Sequence, residues 1–222
     1  MGFVADTHVG PIISAQDVGR ALSLLHPANP EILLLGGDYL CDSPRFINEA
    51  AAVLGDFASS VRYGAVAVLG NHDYSNDGCR VAAELERRGI RVLRNESTRV
   101  MTDAGDLWIA GIDDAILGAP DPNRTFAQIP ENAAVVALWH EPDWAEEAGA
   151  RGALLQLSGH SHGGQIRIPL IGNIAAPPGG RRYFAGLNAA VGMPVYTSRG
   201  VGIYRPPVRL RCPPEVTLVT LL

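Results

Sequence analysis

The residues with the most chemical capacity gather in short clusters. Ser158-Gly159-His160-Ser161-His162-Gly163-Gly164-Gln165 places two imidazoles two residues apart. No helix face accommodates that spacing, but an extended turn does. Further clusters are Asp6-Thr7-His8, Gly36-Gly37-Asp38-Tyr39, Gly70-Asn71-His72-Asp73 and Trp139-His140. Of the six histidines only His26 lies outside them, so independent capped surface histidines do not account for the pattern. Imidazole, carboxylate and carboxamide donors without a thiolate suit divalent ions such as Mn, Fe, Zn, Ni or Co. The donors exceed what one ion with open positions needs, and suit two ions sharing a carboxylate. Such a pair, about 3.5–4 Å apart, clamps the attacking and leaving oxygens of a displacement at phosphorus.

Each cluster follows an apolar run that reads as a buried strand: Phe3–Ala5, Ile32–Leu35, Ala65–Leu69, Val135–Trp139 and Ala153–Leu157. Between the first of these lie helical patterns. One starts near Ser14, which with Asp17 resembles a capping box, and is closed by Pro27 and Pro30. A second runs from Arg45 to Ser59 with Phe46, Ala50, Val53, Leu54 and Phe57 on one stripe. A third runs from Asp77 to Arg88 and stops at Gly89, a natural C′ residue. This alternation predicts parallel strands buried on both faces, with functional loops at their carboxyl ends. All the clusters then share one edge of the molecule.

Beyond Ile90 the pattern changes to short strands, Ile90–Leu93, Thr98–Met101 and Leu107–Gly111, with little helix beyond Pro142–Ala148. A second, more antiparallel sheet packed on the first is expected, with Glu215–Leu222 as a core strand. There is no internal repeat and no long linker, so residues 1–222 are expected to form a single domain.

Taken in order, Asp6-x-His8, Gly37-Asp38, Gly70-Asn71-His72-Asp73, His140 and Gly159-His160-x-His162 resemble the five-block pattern of the calcineurin-like metallophosphoesterases. The resemblance implies an α/β fold, a four-layer α-β-β-α sandwich of two packed mixed β-sheets. It implies one ion held by Asp6, His8 and His162, another by Asn71, His140 and His160, and Asp38 bridging both, with Mn the first choice of metal. His72 would contact phosphate and serve the leaving oxygen, and Asp73 would orient His72 through its other ring nitrogen. A phosphodiesterase working by attack of a metal-bridged hydroxide follows. Alternatives are a phosphomonoesterase or nucleotide-sugar pyrophosphatase of the same fold, or a non-catalytic metal-binding scaffold, which would need neither the full donor set nor His72.

Gly163–Pro169 and Ser198–Gly202 with Cys212–Thr217 are further similar to a bacterial branch of membrane-associated phosphodiesterases, some acting on UDP-diacylglucosamine. That branch usually begins with an apolar anchor, which this sequence lacks. No run reaches the ~20 apolar residues of a membrane span. The three cysteines, Cys41, Cys79 and Cys212, show no metal or disulfide spacing and read as reduced thiols. A cytoplasmic chain, at most peripheral to the membrane, is expected. Eighteen Lys and Arg against 23 Asp and Glu give a net charge of −5, so no nucleic-acid partner is expected, and a small-molecule phosphodiester is. The sequence leaves the oligomeric state open.

Five further features bear on the site. Arg199 is a candidate for a second phosphate or sugar, or ties down its own turn. Tyr39 is expected at the rim with its hydroxyl reaching substrate. Arg181 and Arg182 read as surface charge and Asp113-Asp114 as a turn, while Trp108, Trp139 and Trp144 belong to the core or its edge. No insertion long enough for a lid separates the blocks, so an open, shallow site is expected.

Overall fold

A computed structural model of the chain describes residues 1–169, 172–173 and 176–221. The first half builds one sheet. Strands β1 (Gly2–Val4), β2 (Leu33–Leu35) and β3 (Ala65–Ala67) alternate with helices α1 (Ala15–Ser23) and α2 (Ile47–Ala58). After β3 come a short helix α3 (Asn71–Ser75), then α4 (Gly78–Arg87) and β4 (Ile90–Val92). β1 to β4 are parallel neighbours, and every residue of β1, β2 and β3 is buried. Their uninterrupted apolar sequences follow from that double burial.

Local signals set the helix ends. Ser14 and Asp17 form the capping box at α1, satisfying two otherwise unpaired N–H groups. Asp77 caps α4 from a left-handed backbone by accepting from the Arg80 N–H, and Gly89 follows α4 at φ +78°. Pro44 diverts the start of the second helical pattern into a 3-10 turn, Pro44–Phe46, so α2 begins at Ile47.

The second half builds a six-stranded sheet in the order β11-β12-β8-β7-β6-β5. Its members are β5 (Glu96–Thr102), β6 (Gly105–Gly111), β7 (Ala134–Leu138), β8 (Leu155–Ser158), β11 (Gly186–Ala190) and β12 (Met193–Thr197). Helix α5 (Pro122–Phe126) crosses from β6 to β7, and α6 (Ala145–Gly149) from β7 to β8. A small ribbon, β9 (Arg167–Ile168) with β10 (Gly172–Asn173), lies outside both sheets.

Two expectations need correction. The centre of the second sheet is parallel (β6 with β7, β7 with β8, β8 with β12), and only its outer pairs are antiparallel. Its crossover helices are five residues long, too short to show a helical period. At the C-terminus only Thr217–Leu218 forms a strand, β13, antiparallel to β1 at the sheet edge. Leu218 and Leu221 are half exposed, so this is an edge and not a core strand; Leu222 lies outside the described residues.

The layers are helix, sheet, sheet, helix. Val4, Leu33, Leu35 and Ala67 pack against Val18, Leu54 and Leu85 of the first helical layer. Phe3, Leu34, Val66 and Val68 meet Ile109, Val136, Leu138 and Leu157 between the sheets. Ala137, Trp139 and Val195 pack against Ala145 and Ala148 of α6. Both sheets therefore present the carboxyl ends of their central strands at one edge. Among the described residues no helix is long and apolar enough to cross a membrane.

Candidate metal centre

The backbone pairing of β1 with β2 continues past both strands. The N–H groups of Asp6, His8 and Val9 donate to the carbonyls of Gly37, Asp38 and Tyr39, which sets Asp6 and His8 beside Asp38. From the second sheet, the Gly159 N–H donates to the His140 carbonyl, and the His160 N–H crosses to Asp6 Oδ1 at 2.9 Å. Two clusters result: Asp6, His8 and His162, and Asp38, His140 and His160. In each, the donor atoms lie within 4.8 Å of one another, and all six residues are buried. Asn71 joins the second, with Oδ1 at 3.0 Å from His160 Nδ1.

The ring tautomers are fixed from outside the clusters. His8 Nδ1 faces the Leu40 carbonyl at 3.2 Å, His140 Nδ1 the Gly36 carbonyl at 2.6 Å, and His160 Nε2 the Pro178 carbonyl at 2.8 Å. A carbonyl can only accept, so each of these nitrogens donates and the other faces the cluster, a lone pair in the neutral ring. Among the described residues Asp6 Oδ2 and His140 Nε2 are buried with no hydrogen-bond partner, and His162 turns its Nε2 to the cluster, 2.9 Å from His8 Nε2. Buried polar atoms are costly to leave unpaired, and two nitrogens this close, His8 Nε2 and His162 Nε2, fit a shared cation. Asp38 Oδ2 stands between the clusters, 3.7 Å from His8 Nε2 and 3.1 Å from His140 Nε2.

Backbone strain is concentrated here. Asp6, His8, Asp38, His160 and His162 all adopt left-handed φ, between +45° and +67°. Side-chain-bearing residues avoid this region at about 1 kcal/mol or more each, and such positions cluster where function over-determines them. Neighbouring glycines make the approach possible. A Cβ on Gly70 would stand 2.7 Å from His140 Nε2, and one on Gly159 only 2.5 Å from Asp6 Oδ2.

Burial pushes the Asp6 carboxyl up to about 7 against the pull of His140. It lowers His8 and His160 to about 4, and His162 well below the usual imidazole range, so these rings are neutral donors at pH 7. Burial also opposes charge on Asp38 and His140, but each faces the other. Asp38 is held well below the carboxylate range and His140 well above the imidazole range. His140 must shed a proton before it can ligate.

A sequence model described as "Calcineurin-like phosphoesterase" matches residues 1–164. The chain belongs to this family. The metallophosphoesterase YkuE of Bacillus subtilis, described as uncharacterized, is 32% identical over 220 residues, covering 98% of this chain and 77% of that protein. The phosphodiesterase YaeI of Escherichia coli is 34% identical over 226 residues, covering 99% of this chain and 81% of that one. Among solved structures, the NAD nucleotidase NadN of Haemophilus influenzae superposes with a TM-score of 0.58 at 18% identity. The match covers 90% of this chain and 44% of NadN, and supports the fold. The protein is thus a metal-dependent phosphoesterase, a hydrolase of metallophosphoesterase fold.

Within this calcineurin-like phosphoesterase, His72 lies outside both clusters and lines the cleft beside them. Its backbone N–H donates to Asp38 Oδ1 at 2.8 Å, and its ring packs edge-on against His8 at a centroid distance of 5.0 Å. Asp73 does not orient that ring. Its carboxylate accepts the N–H groups of Asp38 (2.8 Å), Tyr39 (2.8 Å) and Gly70 (3.0 Å), fully buried, and so braces two metal-bearing loops against each other. Burial raises it to about 7, those N–H groups notwithstanding.

Tyr39 is not at the rim. It is 1% exposed, and its hydroxyl donates to the Val68 carbonyl at 2.7 Å, beneath the site. Nor is the Arg199 guanidinium free for substrate: Nε and Nη2 both engage Glu215, whose other oxygen accepts the Arg199 N–H at 2.7 Å. The carboxylates of Asp113 and Asp114 accept backbone N–H groups of residues 116–119, a turn role. The backbone N–H groups of Arg181 and Arg182 donate to Asp143, with both side chains exposed. Trp139 is core and Trp144 lies at its edge.

Two residues went unnoticed in the sequence. Gln165 closes the His160–His162 turn, and Tyr204, forty residues on, stands over the cleft with its ring centroid 4.5 Å from that of His72. Only the two preceding glycines hinted that Gln165 sits in an unusual turn. Tyr204 and its neighbours wall one side, so the site is a cleft of about 330 Å³ and not the shallow dish expected.

Proposed function

We propose that this protein is a phosphodiesterase acting on small-molecule phosphodiesters, with one divalent ion in each cluster and Asp38 shared between them. The observation that carries the reading is the position of Asp38 Oδ2, within 3.7 Å of a donor from one cluster and 3.1 Å of a donor from the other. Asp6, His8 and His162 would hold one ion, and Asn71, His140 and His160 the second. Nitrogen and oxygen donors without thiolate favour Mn, with Fe, Zn, Ni or Co as alternatives. Bound there, the ions supply Lewis acidity to a phosphoryl oxygen and to the attacking water.

The chain's own residues supply the rest. His72 faces the cleft with its backbone tied to Asp38 and its ring packed between those of His8 and Tyr204, where it would protonate the departing oxygen. Asp73 keeps the Asp38 and Asn71 turns in register. Diesters are favoured over monoesters because, among the described residues, Arg205 is the one Lys or Arg lining the cleft, and it pairs with Asp42 at 3.4 Å. A dianionic monoester would find little extra positive charge there. The relative YaeI, named a phosphodiesterase, supports the same choice. A cleft of this size and a net charge of −5 speak for a small molecule and against nucleic acid. Three unpaired thiols fit a reducing, cytoplasmic setting.

The test is to strip the protein with chelator, restore Mn, and assay bis-(p-nitrophenyl) phosphate beside p-nitrophenyl phosphate. Diester turnover should return and exceed monoester turnover. His72→Ala should keep two ions per chain and lose about 10²–10³ in kcat. Faster monoester cleavage, or no turnover with any of the five metals, would overturn the reading.

A further inference from the structure

The cleft has two unlike walls. One is the cluster side with His72. The other carries Ile166, Ala176, Pro177, Tyr204 and Pro206, carbon-rich side chains, with Arg205 between the last two exposed and paired with Asp42 at 3.4 Å. The phosphoryl group belongs to the first wall by charge. Whatever it is esterified to must then lie along the second.

The second wall is built deliberately onto the metal-bearing turn. Gln165 is buried and holds a left-handed φ of +46°, a conformation that costs a non-glycine residue free energy. Its side chain reaches one loop only. Nε2 donates to the Tyr204 carbonyl at 3.1 Å and to the Pro206 carbonyl at 2.7 Å, and Oε1 accepts the Tyr204 N–H at 3.0 Å. The Gln165 backbone carbonyl accepts the Leu210 N–H at 3.0 Å, which fixes the far end of the same loop. Both amide protons of the side chain are thus committed to holding residues 204–206 against the turn that carries His160 and His162. The Tyr204 ring is brought to 4.5 Å from His72 and 5.8 Å from His8, centroid to centroid.

Among the described residues this wall presents one aromatic ring and two prolines, its Gln165 amide is spent on the loop and its Arg205 is exposed and paired with Asp42, so it matches a flat apolar group better than a hydroxylated one. Beyond the Tyr204 hydroxyl, sugar or glycerol hydroxyls would find few partners on it, and buried unpaired hydroxyls are costly. Aromatic rings, in contrast, gain from offset or edge packing on a tyrosine.

We propose that Tyr204 reads one arm of the substrate, that the preferred substrates are phosphodiesters in which that arm is an aromatic group, and that Gln165 is the positioning residue that holds Tyr204 in place. The proposal rests on the phosphodiesterase reading for the identity of the reaction, but the preference for an aromatic arm is a property of binding and is tested separately.

The probes are the monomethyl esters of phenylphosphonic and methylphosphonic acid, equal in charge and different only in the aryl group. Calorimetry on the Mn-loaded protein should show the phenyl compound bound about tenfold tighter. Tyr204→Phe should keep that ratio. Tyr204→Ala and Gln165→Ala should each bring it to within about twofold of unity. A purely structural role for Gln165 would weaken both probes equally and leave the ratio standing, which would overturn the assignment. Equal binding of the two probes to the unaltered protein would overturn the aromatic preference, even if diesters are turned over. Conversely, tenfold tighter binding of the phenyl compound without hydrolysis of any diester would leave the wall intact and remove the phosphodiesterase reading.

Discussion

On the cluster side of the cleft, Asp6, His8 and Asp38 sit on turns that are almost wholly buried, strained and braced by backbone-to-carboxylate hydrogen bonds. On the opposite side, Ile166, Tyr204 and Pro206 are half or fully exposed on turns held by the side chains of Gln165 and Arg209 and a few backbone bonds. The first wall can vary little: its donors fix where ions and phosphorus can be. The second can change residue by residue without moving a donor atom. Chemistry and selectivity are thereby separated in space, as they are where a rigid scaffold presents variable loops.

Substitutions that treat the walls differently test that separation. The largest effect is expected from Asp38→Asn, which should cost about 10³ or more in kcat/KM and reduce metal content in both clusters together. Loss of a single ion, read by elemental analysis, would break the bridging assignment. Next come two glycines on the cluster side. Gly70→Ala should disturb Asp38 and His140, and Gly159→Ala should disturb Asp6, each lowering kcat/KM by about 10² at low metal, with partial rescue by excess metal. If excess metal rescues neither, the damage lies in the fold and not in the donors.

The pH dependence of metal binding is smaller. Asp6 sits near 7 and His140 above its ordinary value, so metal must displace protons from both as pH falls below about 7. Affinity should drop by about tenfold or more per pH unit there, with proton release visible by calorimetry in buffers of different ionisation enthalpy. A flat affinity between pH 6 and 8 would contradict the paired state of His140 and Asp38. The smallest effect is expected at Arg199→Ala. Its pair with Glu215 is partly exposed, so stability should fall by about 1 kcal/mol, or about 2–4 °C in Tm, with kcat/KM within about twofold. A tenfold rise in KM would return Arg199 to the substrate site.

The cluster wall was legible in the sequence because donor types, spacing and strand ends carry its information locally. The errors came where identity depends on direction. Asp38 points to the cleft and the next side chain, Tyr39, into the core, because the left-handed backbone at Asp38 turns the chain between them, a change of direction that residue types do not report. Asp73 is the third residue of a helix, where an acid that caps its own turn and one that orients a preceding histidine look alike in sequence. Arg199 finds Glu215 sixteen residues on, and Gln165 finds Tyr204 thirty-nine on; no local pattern reports such pairs. The parallel order of the second sheet was missed for a related reason, its crossovers being too brief to show a period.

The left-handed backbone at Asp6, His8, Asp38, His160 and His162 has a consequence for descent. Each of these positions would be more comfortable as glycine or asparagine once no ion had to be held. A copy of this chain released from selection for hydrolysis would therefore gain thermal stability at the same substitutions that silence it. Lineages that kept the sandwich for other purposes should carry glycine or asparagine at these five places, a scar that distinguishes a retired enzyme from one that is merely unloaded.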